Sequence, residues 1–174
     1  MNAIDNVQLI EFLREVSILK GLNPEQLARF VGATRPVEVP RGKNVITEGE
    51  TGDTMFILVD GKVEVSKNMV MRTAQDHYED RDKILTVLEA QTHHPFFGEI
   101  ALLEQGDRTA TVRALTDCQL RVIDRPSFES LCDKDHELAF KLIHSIAVEL
   151  CGRLRRSNTD ILKLTTALSL ALRR

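Results

Sequence analysis

Apolar residues keep two different rhythms along this chain, and the change of rhythm divides it. Leu9, Phe12, Leu13 and Val16 recur three and four apart, which predicts a helix with one apolar face. Asn23-Pro24-Glu25-Gln26 reads as a second helix start. Asn23 caps it, Pro24 takes the first helical position, and Gln26 reaches back to the cap. Leu27, Phe30 and Val31 continue that helix. From about Thr34 the period falls to two. Val37 and Val39 alternate with polar neighbours, Pro40-Arg41-Gly42 turns the chain, Val45 and Ile46 follow, and residues 49–53 turn it again. Met55 to Val59 predicts a strand, Asp60-Gly61 a tight hairpin, and Lys62 to Ser66 the return. Ile84 to Leu88, Thr109 to Leu115 and Gln119 to Ile123 complete the set. Many short strands joined by Gly-containing turns predict a sandwich or roll.

Two stretches interrupt the strand pattern. Asn68 to Lys83 reads as a polar hairpin arm with a solvated, mobile tip at Asp76 to Asp82. Its carboxylates and His77 lack the spacing and the Gly of a Ca²⁺ loop. Thr92-His93-His94-Pro95-Phe96 reads as a loop shaped by its adjacent histidines, which point in different directions; the alternative is that one of them stacks on or near a ligand.

After Asp124 the pattern turns helical to the end. Pro126 to Leu131 predicts a short helix, and Asp133-Lys134-Asp135 supplies a second cap. The run from His136 onward would span about 58 Å at 1.5 Å per residue. Along it Ile143, Ala147, Leu150, Leu154, Ser157, Ile161, Leu164, Leu168 and Ala171 alternate steps of four and three, a heptad seam with a polar interruption at Ser157. Contact with the roll accounts for the first turns. The remainder predicts a partner, most simply an identical chain in parallel. Arg153, Arg155 and Arg156 give the same helix a basic face.

Composition narrows the function classes. At 174 residues, one principal domain with an extension is expected, and 43% apolar residues suffice for an ordinary core. A net charge of −3 gives no general electrostatic drive toward DNA or an anionic membrane. The three cysteines, Cys118, Cys132 and Cys151, are widely spaced and read as small buried apolar residues in a reducing compartment. Met1 to Val7 lacks the pattern of a signal peptide, and no run approaches the ~18 apolar residues of a membrane span. These features predict a cytoplasmic protein. No Ser-His-Asp, HExxH or Walker pattern is present, so no enzyme is expected.

The stretch from Phe97 to Val112 carries the candidate chemistry. Gly98 lets backbone approach a ligand without a Cβ in the way. The amides of Ile100, Ala101 and Leu102, at the start of a short helical turn, would point at an anion. Arg108, nine residues after Glu99, adds a fork for phosphate oxygens. Glu99 would repel a phosphate, and makes sense as the acceptor for a ribose 2′-hydroxyl. Thr109 supplies a further N–H and a hydroxyl. One cyclic phosphate on a sugar fits all of these together. No metal ligand set is expected.

The segment Phe97-Gly98-Glu99-Ile100-Ala101-Leu102, a short gap, then Arg108-Thr109-Ala110-Thr111-Val112 resembles the phosphate-binding cassette of the cyclic nucleotide-binding domain family. Gly52-Asp53-Thr54-Met55-Phe56-Ile57-Leu58 and Gly61-Lys62-Val63-Glu64-Val65 look like its glycine-punctuated strand pair, and the resemblance covers about residues 10 to 158. The long arm and the His93-His94 segment depart from that pattern.

The resemblance implies an α+β fold: a jelly-roll-like antiparallel β-roll flanked by N-terminal helices and a long C-terminal dimerisation helix. It divides the chain into N-terminal helices at 1–33, a binding roll at 34–125, and a short helix with a lid and dimerisation helix at 126–174. It implies a cyclic AMP or cyclic GMP receptor whose site includes Phe97, Gly98, Glu99, Ile100, Ala101, Arg108, Thr109 and Ala110. Arg153 falls at the height where the family's helix lids the pocket and meets the base. Such a protein would be a homodimer that signals through the helix to a protein effector. No recognition helix follows, so no direct DNA contact is expected. The alternative is a ligand-free roll kept as an interaction and dimerisation module.

Overall fold

The computed structural model describes residues 6–72, 78–104 and 106–172. Helices α1 (Asn6–Glu15) and α2 (Pro24–Ala33), joined through a 3-10 turn at Ser17–Leu19, precede the first strand. The expected capping box is formed: Gln26 N–H donates to Asn23 Oδ1 at 2.8 Å and Asn23 N–H to Gln26 Oε1 at 3.2 Å. Among the described residues ten strands follow: β1 (Arg35–Val39), β2 (Asn44–Ile46), β3 (Thr51–Gly52), β4 (Thr54–Asp60), β5 (Lys62–Arg72), β6 (Tyr78–Glu89), β7 (Phe96–Phe97), β8 (Gly106–Asp107), β9 (Thr111–Ala114) and β10 (Cys118–Asp124). Helices α3 (Ala90–His93) and α4 (Glu99–Leu103) interrupt them, and α5 (Arg125–Lys134) and α6 (His136–Ala171) close the chain.

The strands form an antiparallel roll. One sheet runs β1-β10-β4-β7, the other β2-β9-β5-β6, and β3 pairs β8 across the mouth. The inner side chains of the two sheets, among them Ile46, Leu58, Val63, Phe97, Val112 and Leu120, make one core. A second core lies between the helices and the outer face of the first sheet, around Leu13, Phe30, Met55, Phe128, Leu138 and Leu142. Burying an apolar face on each side of a sheet is what holds helices against it. The hairpin at Asp60-Gly61 needs its glycine: φ is +96°, and a Cβ would lie 2.6 Å from Asp117 O.

Several local expectations change. The Thr92–His94 segment is not all loop: Ala90–His93 is one helical turn, ended by His94 at φ 43°. The strand expected at Thr109 begins at Thr111. The arm from Asn68 to Lys83 is a continuation of the β5–β6 hairpin, whereas Asp76 and His77 lie outside the described residues. Cys118 is buried, but Cys132 is half-buried and Cys151 is exposed, so the three are not alike. Burial raises the thiol pKa of Cys118 and Cys132. Among the described residues no helix is long and apolar enough to cross a membrane.

Helix α6 has 36 residues, about 54 Å at 1.5 Å per residue. Asp135 caps it by accepting from Leu138 N–H at 2.9 Å. Its roll-facing stripe is Leu138, Leu142 and Ile146, all fully buried. The heptad seam is a different stripe, and it is mostly open: Leu154, Ile161, Leu164 and Leu168 are 57–67% exposed.

Candidate functional site

A cleft of about 800 Å³ opens between the second sheet, the Phe96–Ala101 segment, the Asp107–Ala110 segment and α6. Every residue singled out in the sequence as a site residue lines it: Phe97, Gly98, Glu99, Ile100, Ala101, Arg108, Thr109, Ala110 and Arg153. The fold gathers them from two chain segments and from one helix.

Gly98 ends β7 and caps α4 with φ 84°. A Cβ there would lie 2.7 Å from Thr54 O and 3.0 Å from Arg108 Nη1, so the cassette closes on its partners only around glycine. Helix α4 then starts at Glu99. The amide of Leu102 donates to Gly98 O at 3.3 Å, which removes it from the donors expected for an anion. The helix begins earlier than the donor assignment assumed. The amides of Ile100 and Ala101 remain at the open turn.

Arg108 is 9% exposed. Its backbone is pinned to the glycine turn: its N–H donates to Glu50 O at 2.8 Å, and its O accepts from Gly49 N–H at 2.9 Å. The side chain runs beneath Gly98. Nη1 donates to Thr54 O at 2.7 Å and Nη2 to Thr54 Oγ1 at 2.6 Å. Phe56 lies 5.8 Å from the guanidinium, and Gly52 leaves room for it, since a Cβ at 52 would clash with Nε. Burial lowers its pKa, and the nearby carboxylates of Asp53 and Glu50 oppose that shift. The group stays a cation. Nε has no hydrogen-bond partner among the described residues.

Glu99 is 2% exposed. Its Oε1 accepts from Arg153 Nη1 at 2.7 Å. Arg153 also donates through Nη2 to Phe96 O at 3.3 Å, and it lies 5.0 Å over the Phe96 ring. The middle of α6 is thus fastened to the cassette. Arg156 and Asp160 face the same cleft, whereas Arg155 is exposed and donates to Cys151 O at 3.3 Å.

Sequence reasoning missed Thr54, the anchor of Arg108. A Thr beside a glycine turn has no distinctive signal before the fold brings it under Gly98. It also missed that Glu99 and Arg153 pair. Both histidines line the cleft: His93 Nδ1 accepts from Glu89 N–H at 3.3 Å, and the His94 ring packs on Phe12 at 4.8 Å. Among the described residues no group of three or more His, Cys, Asp or Glu could hold a metal ion.

Comparisons with known proteins point the same way. The family model described as the cyclic nucleotide-binding domain matches residues 36–135. A CRP-like cAMP-activated global transcriptional regulator of Mycobacterium tuberculosis is 30% identical over 151 residues, 87% of this chain and 61% of that protein. A cAMP-dependent protein kinase regulatory subunit of Dictyostelium discoideum is 34% identical over 124 residues, 70% of this chain and 35% of that one. The chain therefore spans less than two thirds of these relatives. The Thermus thermophilus catabolite activator protein shares the fold with a TM-score of 0.72 at 23% identity, over 86% of this chain and 63% of that one.

Proposed function

The chain belongs to the cyclic nucleotide-binding domain family, and on that premise we propose that its cleft is a receptor site for one cyclic purine mononucleotide, cyclic AMP or cyclic GMP. The observation that carries this reading is the buried Arg108, clamped by Thr54 beneath Gly98 on the wall of the cleft that Glu99 also lines. A cation held in place next to an open helical turn and a carboxylate is complementary to a cyclic phosphate fused to a ribose. Phosphate oxygens take Arg108 and the amides of Ile100 and Ala101. The ribose 2′-hydroxyl donates to Glu99, whose Oε2 has no partner among the described residues. Thr109 and Ala110 form the wall on which the base rests, with Arg153 above it.

The output is α6. Arg153 fastens it to Glu99, and a ribose that uses the same carboxylate competes with or reorganises that link. The exposed seam of α6 seats a second copy in parallel, and the moving helix passes the signal to a protein effector. The domain has a regulatory role and no chemistry of its own, acts in the cytoplasm, and divides into N-terminal helices, roll and C-terminal helices at about residues 33 and 125. The Glu99–Arg153 pair also supports a second reading, a closed roll that binds nothing and serves as a dimerisation module.

A calorimetric and thermal-shift panel decides between them. Cyclic AMP, cyclic GMP, their linear monophosphates and cyclic dinucleotides are each added to the full chain. A receptor gains about 2.7 kcal/mol from a ligand at 100 times its Kd, and only from cyclic mononucleotides. No shift with either cyclic mononucleotide favours the closed module.

A further inference from the structure

The outer face of the second sheet carries a polar groove, apart from the cleft. Strand side chains alternate between the two faces of a sheet. Val65 and Val112 line the cleft, whereas Glu64, Ser66, Thr111 and Arg113 line a separate groove of about 620 Å³. The β5–β9 register sets Glu64 opposite Arg113 and Ser66 opposite Thr111. Glu48, from the turn after β2, and Asp82, from β6, belong to its walls.

Two buried polar groups line this groove. Glu64 is 8% exposed and Ser66 4%. Arg113 donates to Glu64 through Nε at 3.1 Å and Nη2 at 2.6 Å, and both bonds fall on Oε1. A guanidinium fork commonly spans both oxygens of a carboxylate. Here it takes one and leaves Oε2 for another donor. The Ser66 hydroxyl has no hydrogen-bond partner among the described residues. Buried polar groups are nearly always bonded, so both call for a donor in the groove.

The walls select the donor. Glu48, Glu64 and Asp82 set three carboxylates against one lining cation, Arg113, which disfavours an anion. Glu48 is itself engaged: Oε2 accepts from Asn68 N–H at 2.8 Å, and Oε1 lies 3.8 Å from Lys67 Nζ. Among the described residues no group of three or more His, Cys, Asp or Glu could hold a metal ion, so the fitting cation is organic. The acceptors are spread over two strands, Glu64 and Ser66 on β5 and Asp82 on β6. That spread suits the five donors of a planar guanidinium better than a compact ammonium.

We propose that this groove docks an arginine side chain of a protein partner. The guanidinium donates to Glu64 Oε2, the Ser66 hydroxyl and Asp82, while Arg113 keeps Glu64 Oε1. Free arginine fits less well, because its own carboxylate meets the acidic walls. An arginine within a chain brings a neutral backbone instead. The contact lies across the sheet from the cleft and is independent of nucleotide binding.

The test titrates the full chain with N-acetyl-arginine amide and follows backbone amide shifts by NMR. N-acetyl-lysine amide, free arginine, spermidine and Mg²⁺ are the comparison probes. Saturable shifts are expected around Glu64, Ser66 and Arg113. The arginine amide should bind at least about threefold more tightly than each comparison probe. Ser66→Ala and Asp82→Asn leave the Glu64–Arg113 pair in place, and each should weaken binding by about threefold or more. Glu64→Gln should weaken it by about tenfold. Where Glu64→Gln fails to fold, the other two variants carry the test. Lysine amide, spermidine or Mg²⁺ binding as tightly as the arginine amide marks a plain acidic patch and overturns the proposal. Free arginine binding equally well overturns the protein source. No saturable shift in the groove, or affinity unchanged in Ser66→Ala and Asp82→Asn, overturns the site itself.

Discussion

Arg153 on α6 holds the buried carboxylate of Glu99 at 2.7 Å, a bond between residues 54 positions apart that ties the C-terminal helix to the cassette. Glu99 is almost wholly buried, while the Arg153 side chain is 41% exposed. Removing the arginine leaves a buried carboxylate without its cation, a change that costs several kcal/mol when both partners are buried. Solvent reaching Arg153 discounts that to about 1–3 kcal/mol for Arg153→Ala in urea unfolding of the ligand-free chain. Adding Glu99→Gln to Arg153→Ala should recover part of the loss. The cycle should show a coupling of about 1 kcal/mol or more. Additivity within about 0.3 kcal/mol would mean the pair is decorative.

Arg108 is the anchor of the proposed phosphate site. Arg108→Ala should weaken cyclic nucleotide binding by about 2–5 kcal/mol, since it strands a buried phosphate charge. Glu99→Ala should cost less, about 1–3 kcal/mol, as one lost charge-assisted hydrogen bond. Calorimetry on both variants gives the order. Unchanged affinity in the Arg108 variant would remove the cassette from the binding mechanism.

The legibility of this chain was uneven for physical reasons. Strands and helices could be read wherever burial imposes a period, as with Leu9, Phe12, Leu13 and Val16 or with Val37 and Val39. The Asn23–Gln26 capping box was readable because its bonds are local. Glu99 and Arg108 stood out by order and spacing within one loop. What the sequence hid was non-local or short. Thr54 and the partner of Arg153 act on atoms tens of residues away, and no local rule ranks one Thr or Arg above another. The turn at Ala90–His93 is too short to show a helical period. The open donors of α4 were misassigned by one residue, because the helix starts at Glu99 and Leu102 already finds Gly98 O. The seam of α6 was visible as a heptad. Only the fold showed that the stripe on the roll, Leu138, Leu142 and Ile146, is a separate one that leaves the seam uncovered.

That uncovered seam makes a prediction about assembly. A chain ending at Asn158 loses Ile161, Leu164, Leu168 and Ala171 but keeps the stripe on the roll. Sedimentation should show it shifted toward monomer, while its nucleotide affinity stays within a few-fold of the longer chain. Ser157 at the seam would favour one register at some cost in stability, so Ser157→Leu should strengthen association. A 174-residue chain that is monomeric at tens of micromolar would contradict the heptad assignment.

The last prediction concerns the choice of base. Thr109 follows Arg108 and is exposed on the cleft wall, in reach of a purine that folds over its own phosphate. Its hydroxyl can accept from the 2-amino group of guanine, a donor that adenine lacks. A contact of this kind is worth about 1 kcal/mol net, too little to set selectivity alone. The lid supplies the rest, and it is ambivalent. Arg153 can donate to guanine O6 or N7, or stack on adenine, and its Nη1 also donates to Glu99. Thr109→Ala should therefore lower cyclic GMP affinity several-fold and leave cyclic AMP within about twofold, since about 1 kcal/mol is a factor of roughly five. Titration of both nucleotides against both chains measures this directly. Equal losses would leave Thr109 as a backbone donor only and shift the discrimination to Arg153 and the rest of α6.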